Sequence, residues 1–232
     1  MLEALKVLEK KLASDFFFTG IYSGEGRNAT EQIGSAVDKV WKHISPYRLD
    51  DVINARLFFK DIARDFGNVN DAYKKKFRFY PTRVAFQPIE MPVMNTLVTF
   101  GGFVYMGDED YRRIMGEGKT VGPYVPAIQL DKWCFMSGRI GDVDPNTKRV
   151  KGNSLEQLRS AMTKSNNLLN DAGFKSDNVI LVELYYTERQ VPELVEGINF
   201  NENYPNADLV AELVAKLPVD ANVELVVTAK KK

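Results

Sequence analysis

The sequence predicts an α/β (α+β) chain built from two similar domains. Segments whose apolar residues recur at period two alternate with segments of helical period, the pattern of interleaved strands and helices. The order strand, helix, strand, helix, strand, strand runs from Phe16 to Phe100, and much of it recurs between Phe135 and Val227. Such a repeat decides architecture before any single element does. A stretch rich in glycine and charge, Gly107 to Gly118, separates the two runs. We therefore expect a first domain over residues 1–106, a linker over 107–118 and a second domain over 119–232.

Residues 2–14 fit either a short amphipathic helix or a ragged strand, because Leu2, Leu5, Leu8 and Leu12 have near-helical spacing while Lys10 and Lys11 leave both open. Phe16 to Tyr22 is aromatic and β-branched, a buried strand with a glycine near its end. Asn28-Ala29-Thr30-Glu31 reads as an N-cap with a capping-box glutamate, and Ile33, Val37, Val40, Trp41 and Ile44 then share a helical face. After a turn at Pro46, Val52 to Phe59 is a strand with Ile53, Ala55, Leu57 and Phe59 on one face. Phe66, Val69, Tyr73 and Phe77 return to helical spacing, which Pro81 ends. Strands from Arg83 to Phe86 and from Leu97 to Phe100, with a turn at Met91-Pro92, complete the first unit.

In the second unit Ser137-Gly138-Arg139-Ile140 corresponds to Thr19-Gly20-Ile21, and Asn153 to Gln157 corresponds to Asn28 to Gln32. A helix with Leu155, Leu158, Met162 and Leu169 on one face follows, then the strand Val179 to Tyr186, the turn proline at Leu217-Pro218 and the strand Val223 to Val227. The offset drifts from 118 residues at Gly20 and Gly138 to 127 at Val52 and Val179. Small loop insertions between two copies produce such a drift.

Lys plus Arg balance Asp plus Glu at 31 each, so no cationic excess makes nucleic acid an obligate partner. Lys230-Lys231-Lys232 reads as a solvated end. The single cysteine, Cys134, excludes an internal disulfide, and with one histidine, His43, a zinc site of Cys and His is not expected. The chain carries neither a cleavable leader pattern nor an apolar run of about 18 residues, so a soluble, cytoplasmic protein without a membrane partner is expected. Gly116-Glu117-Gly118-Lys119-Thr120 lacks a phosphate loop's first glycine, whose place Arg113 takes, and Pro123 interferes with a helix after it.

Chemistry is expected at Tyr80-Pro81-Thr82-Arg83-Val84-Ala85-Phe86. A lone guanidinium at the mouth of an otherwise apolar strand suits a carboxylate held by two parallel hydrogen bonds, although a surface salt bridge uses the same residue type.

Val121-Gly122-Pro123-Tyr124, then Phe135 to Gly141, then Asp144-Pro145-Asn146-Thr147 resemble the N-terminal half of the Rid proteins, the reactive intermediate deaminases or YjgF family. In the first copy, Asp65-Phe66, Asn70-Asp71-Ala72-Tyr73 and Tyr80-Pro81-Thr82-Arg83 resemble that family's second helix and its Pro-Ala-Arg signature. Leu217-Pro218 and Val223-Glu224-Leu225 resemble its C-terminal hairpin. The resemblance implies two tandem Rid-like (chorismate-mutase-like) domains, each a mixed β-sheet with two helices on one face. It also implies homo-oligomers, trimers above all, with clefts between neighbouring domains.

The implied activity is hydrolysis of enamines and imines of amino acids to keto acids and ammonia, without metal or organic cofactor. Arg83 would then clamp the carboxylate of a small imine, enamine or keto acid, with a backbone amide near Ala85 as second donor. Tyr124 would line the opposite wall, Gly138 and Arg139 would supply backbone, and Glu224 would orient the attacking water. Neither copy carries the full set: the glutamate place in the first copy falls at Val98, and the arginine place in the second at Asp208 or Leu209. A composite site would bring Arg83 to Tyr124 and Arg139 across a boundary; Glu224 fits it less well, belonging to the copy without the arginine. The alternative is a non-catalytic binding or assembly module, in layout like the paired domains of diphthamide-synthesis amidases. A ribonuclease ranks behind both, for want of a basic stripe or paired histidines.

Overall fold

A computed structural model describes residues 3–12, 14–116, 120–188 and 198–231; Leu2, residues 117–119 of the expected linker and Lys232 lie outside the described residues. The N-terminal ambiguity resolves as a helix, α1 (Glu3–Leu12), because Ala4, Leu5, Leu8 and Leu12 form one buried stripe and Lys10 and Lys11 fall in its last turn, where cations suit the helix dipole.

The first unit is a four-stranded sheet in the order β1 (Phe16–Ser23), β4 (Val98–Tyr105), β2 (Val52–Phe59) and β3 (Thr82–Phe86). It is mixed, with β2 parallel to β3 and antiparallel to β4. Helices α2 (Ala29–His43) and α3 (Ile62–Lys74) cover one face. Asn28 caps α2 by accepting the Glu31 amide at 2.9 Å, while the Glu31 carboxylate turns back to the Arg27 amide at 2.7 Å.

The second unit repeats this order as β7 (Trp133–Met136), β10 (Val223–Lys230), β8 (Val179–Tyr186) and β9 (Asp208–Leu213). Two strands extend it beyond β7, namely β6 (Ala127–Leu130) and β5 (Tyr111–Ile114). The segment expected as linker therefore contributes an edge strand, because Tyr111 and Ile114 have apolar surface to bury there. Helix α4 (Ser154–Asp171) opens with a full capping box between Asn153 and Glu156, and with the turn α5 (Phe200–Asn203) it packs on the outer face.

The two sheets lie face to face, giving four layers with helices outermost. The middle layer is aromatic and aliphatic: Phe86 lies 4.4 Å from Tyr185 with the rings tilted, and Phe16 meets Phe135 at 5.1 Å. Both faces of β2 are thus buried, and the structure differs from two expectations. Ile53 turns toward the second sheet rather than joining Ala55, Leu57 and Phe59, because a bulge between Val52 and Asn54 reverses the alternation. Trp41, expected on the buried stripe of α2, is 55% exposed.

Arg56 on β2 crosses the layer to Glu183 on β8 in a two-pronged ion pair of 2.6 and 2.9 Å, both side chains 1% exposed. Asn54 accepts from Arg56 Nε at 2.8 Å, and the Tyr185 hydroxyl donates to Glu183 at 2.7 Å. Losing one partner strands a charge in a dry layer. Arg56→Ala should therefore destabilise the fold by about 3–5 kcal/mol, whereas Arg56→Met combined with Glu183→Leu should cost less than either single change. Denaturant midpoints of the three variants check this; a double variant as weak as the singles would contradict it.

Candidate functional site

Strand β3 is the edge of the first sheet, and its free side is stitched to the second unit. The Val125 amide donates to Pro81 O at 3.2 Å, the Arg83 amide to Ser137 Oγ at 2.9 Å, and the Gly138 amide to Arg83 O at 3.0 Å. Further along, Gln87 and Lys216 exchange bonds of 2.9 and 3.2 Å. Strand alternation points the Ala85 amide to the same side as those of Arg83 and Gln87. It faces the gap between the two sets of bonds, and a recess opens there, lined by Phe66, Arg83, Ala85, Tyr124, Gly138 and Glu224 among others.

Arg83 is 3% exposed and forms no ion pair among the described residues. One arm, Nη1, donates to Asn70 Oδ1 at 2.8 Å. The rings of Tyr124, Tyr73 and Phe66 stand 5.2, 5.5 and 5.6 Å from Cζ, a cage that favours a cation without neutralising it. Gly122 makes room for the other arm, since a Cβ there would lie 2.2 Å from Nη2. Burial lowers the guanidinium's pKa, opposed by nearby Tyr73, Tyr124 and Glu224.

Glu224 stands in the same recess, 4% exposed, so the separation expected between it and Arg83 does not occur. The second sheet's face abuts the first sheet's edge and brings the two copies' residues together. Burial raises the Glu224 carboxyl to about 8, against the opposing pull of Arg83, Arg56 and Arg139. Its Oε2 is buried without a partner among the described residues. At neutral pH it is therefore mostly a protonated acid with a proton to give.

Gly138 and Arg139 have no spare backbone amide. Gly138 N–H is taken by Arg83, and the Arg139 amide and carbonyl are both paired with Leu225, at 2.7 and 2.8 Å. Gly138 contributes the absence of a side chain, because a Cβ would come 1.6 Å from Glu224 Oε1. Arg139 contributes its guanidinium, whose Nε and Nη2 are buried without partners among the described residues. Tyr124 lies between the two arginines and Glu224, its hydroxyl raised by burial.

Register identifies the counterparts in the other copy. Arg83 faces Ala55, the fourth residue of β2; the fourth residue of β8, Val182, faces Leu209, which settles the choice between Asp208 and Leu209. Glu224 faces Tyr185, the seventh of β8; the seventh of β2, Phe58, faces Thr99, one residue beyond the expected Val98. The Leu209 edge is closed by α1: the Ala4 amide donates to Glu212 at 2.7 Å and Lys11 pairs with Asp208 at 2.7 Å. One of the two clefts is thus filled from within the chain.

Asn70, Phe66 and Tyr73 were not among the residues expected here. Their signals are the helical spacing of Phe66 and Tyr73, the resemblance of this stretch to the family's second helix, and an asparagine, Asn70, on the buried stripe of α3. Among the described residues no three His, Cys, Asp or Glu side chains gather as a metal site, and no helix is long and apolar enough to cross a membrane. Cys134 is buried, its thiol pushed up to about 12.

The family model described as endoribonuclease L-PSP matches residues 116–231. A RutC family protein of Aquifex aeolicus is 30% identical over 115 residues, covering 48% of this chain and 90% of its own. The human 2-iminobutanoate/2-iminopropanoate deaminase is 28% identical over 121 residues, covering 49% and 86%. The solved structure of E. coli TdcF with bound serine aligns over 51% of this chain and 94% of its own, at 23% identity and a TM-score of 0.44. Each of these relatives spans about half of the present chain. With half its length matched by the family model and its fold carrying the same strand order twice, the chain belongs to the Rid family.

Proposed function

We propose that the chain hydrolyses small 2-imino acids or the enamines in equilibrium with them, releasing a keto acid and ammonia at one composite site. The observation that carries this is a buried, unneutralised guanidinium, Arg83, beside a protonated carboxyl, Glu224, at a recess of about 20 Å³. That volume holds about one water. Substrate would approach through the wider cleft that shares Val121, Tyr124, Gly138 and Ile140 with the recess.

The substrate carboxylate would displace that water from Arg83 and the Ala85 amide, and a water from the wider cleft would stand beside the imine carbon so fixed. Glu224 would give its proton to the imine nitrogen as the water oxygen bonds to carbon, then take a proton from that water. The resulting carbinolamine collapses when Glu224 delivers this proton to nitrogen: ammonia departs, the C–N bond breaks, the hydroxyl becomes the keto carbonyl and its proton returns to the carboxylate. Water is the only co-reactant.

Both walls come from one chain, so the trimer implied by the resemblance is proposed for assembly and is not needed to complete the recess. A division into domains over 1–106 and 119–232, with β5 assigned to the second sheet, and a cytoplasmic location belong to the same reading. The non-catalytic alternative draws support from the small size of the recess; keto-acid binding measured by calorimetry without any imine turnover would favour it. The endoribonuclease description has less to rest on, since His43, the one histidine, packs against Tyr22 at 5.6 Å and lies outside the recess.

Arg83→Ala should lower kcat/KM for imine hydrolysis by about a hundredfold or more, and full retention would exclude the clamp. Gly138→Ala should displace the Glu224 carboxyl and reduce kcat by about tenfold or more, with less effect on KM because Arg83 is untouched. Turnover should fall as pH rises through about 8, where Glu224 loses its proton; a rate that instead climbs through that pH would reverse its role. The same carboxyl is raised in the fold from an ordinary 4.5. Its stabilising contribution is therefore full below that value and is lost between about 4.5 and about 8. Denaturation midpoints across this window should decline in the native chain and decline less in Glu224→Gln.

A further inference from the structure

Outside the water-sized recess, the cleft widens to about 950 Å³ and gains Arg139 on its wall. The side chain there is in an unusual state: Nε and Nη2 are buried without an acceptor among the described residues, while its backbone is fully paired. A buried guanidinium with open donors is costly until an anion meets it. The carboxylates that line the cleft do not serve that purpose. Asp142 is held by Lys164 at 2.9 Å and Asp171 is exposed at the end of α4, while Glu224, in the adjoining recess, is mostly uncharged at neutral pH. Two lysines also line the cleft, but Lys148 donates to Pro145 O and Lys164 to Asp142 and to the carbonyls of Ile140 and Gly141, which leaves Arg83 in the recess and Arg139 on the cleft wall as the two guanidiniums with open donors.

We infer that Arg139 selects substrates bearing a second carboxylate, so that the preferred substrate is the imine of a dicarboxylic amino acid. Arg83 takes the carboxylate beside the reacting carbon and Arg139 the one at the far end of the side chain. This rests on the imine-hydrolase reading above and names its substrate class. A planar, five-donor fork suits this task better than an amide or an ammonium would.

The test compares kcat/KM for imines generated in situ from aspartate, glutamate and alanine by an amino-acid oxidase, in the native chain, Arg139→Gln and Arg139→Lys. The native chain should favour a dicarboxylic imine by about tenfold or more. Arg139→Gln should lose about ten- to a hundredfold on that imine, at least about tenfold more than it loses on the alanine imine. Arg139→Lys, which keeps the charge, should retain part of the preference. An unchanged preference in Arg139→Gln, or a native preference for the alanine imine, overturns the inference. Calorimetry with succinate and propionate separates it from the hydrolase reading. Succinate binding that Arg139→Gln weakens about tenfold supports the two-cation site even where no imine is turned over, and equal binding of the two acids refutes it.

Discussion

The buried pair of Arg56 and Glu183 is the constraint to which the rest of the molecule conforms. Arg56 is the fifth residue of β2 and Glu183 the fifth of β8, so the two copies meet through equivalent positions that carry opposite charges. Two identical subunits meeting through equivalent positions across a two-fold would set like against like, and two guanidiniums at 3 Å in a dry layer would repel. A duplicated chain is free of that restriction. Because each copy changes independently, one can supply the fork and the other the carboxylate, and the surrounding amide and hydroxyl, Asn54 and Tyr185, complete the hydrogen bonding. Satisfied in this way, the pair fixes how the two sheets face each other. That register in turn brings the edge of β3 against Ser137 and Gly138.

The same freedom makes the two clefts unequal. At the β3 edge the chain places Arg83 against Glu224; at the corresponding β9 edge it has Leu209 and Thr99, and lays α1 across the opening. Leu5, Leu8 and Leu12 join the middle layer there, so the surface that an open cleft would leave wet is buried apolar area. The site is composite for the same reason: the arginine is from one copy, while the glutamate, the Gly-Pro-Tyr wall and the glycine against which Glu224 packs are from the other. An arginine-less second copy and a glutamate-less first copy are each deficient alone. Facing each other, they form one set.

Much of this could be read from the residues, and what escaped did so for physical reasons. The repeat, the strand order and both asparagine caps are carried by local patterns, periodicity and turn chemistry, and the meeting of Arg83 with Tyr124 across a boundary is what the resemblance to the Rid proteins implies. Glu224's presence beside Arg83 was not legible, because it depends on how one sheet's face meets the other's edge, a tertiary fact with no local signature. The polar face of β2 was also misleading. Asn54 and Arg56 alternate with apolar residues as they would on a solvated strand, yet they lie in the driest layer, and only a charge at the same place in Val179 to Tyr186 hinted at a pair. Tyr111–Ile114 is too short and too charged to announce itself as sheet, and it is held by its neighbour β6.

The electrostatics of the recess point to an occupant more firmly than its shape does. Burial works against every titratable group there: it lowers Arg83 and Arg139, and raises Glu224 and Tyr124. A structural network would resolve these penalties internally, as Arg56 and Glu183 do, by pairing cation with anion. Here the nearby carboxyl gives up its charge instead, and the guanidiniums keep open donors. Perturbed groups left unpaired in a concave site are the arrangement expected where an external charge completes the balance. A carboxylate arriving at Arg83 would satisfy donors the fold leaves open, and the proton retained by Glu224 would then face the one atom of an imine able to accept it.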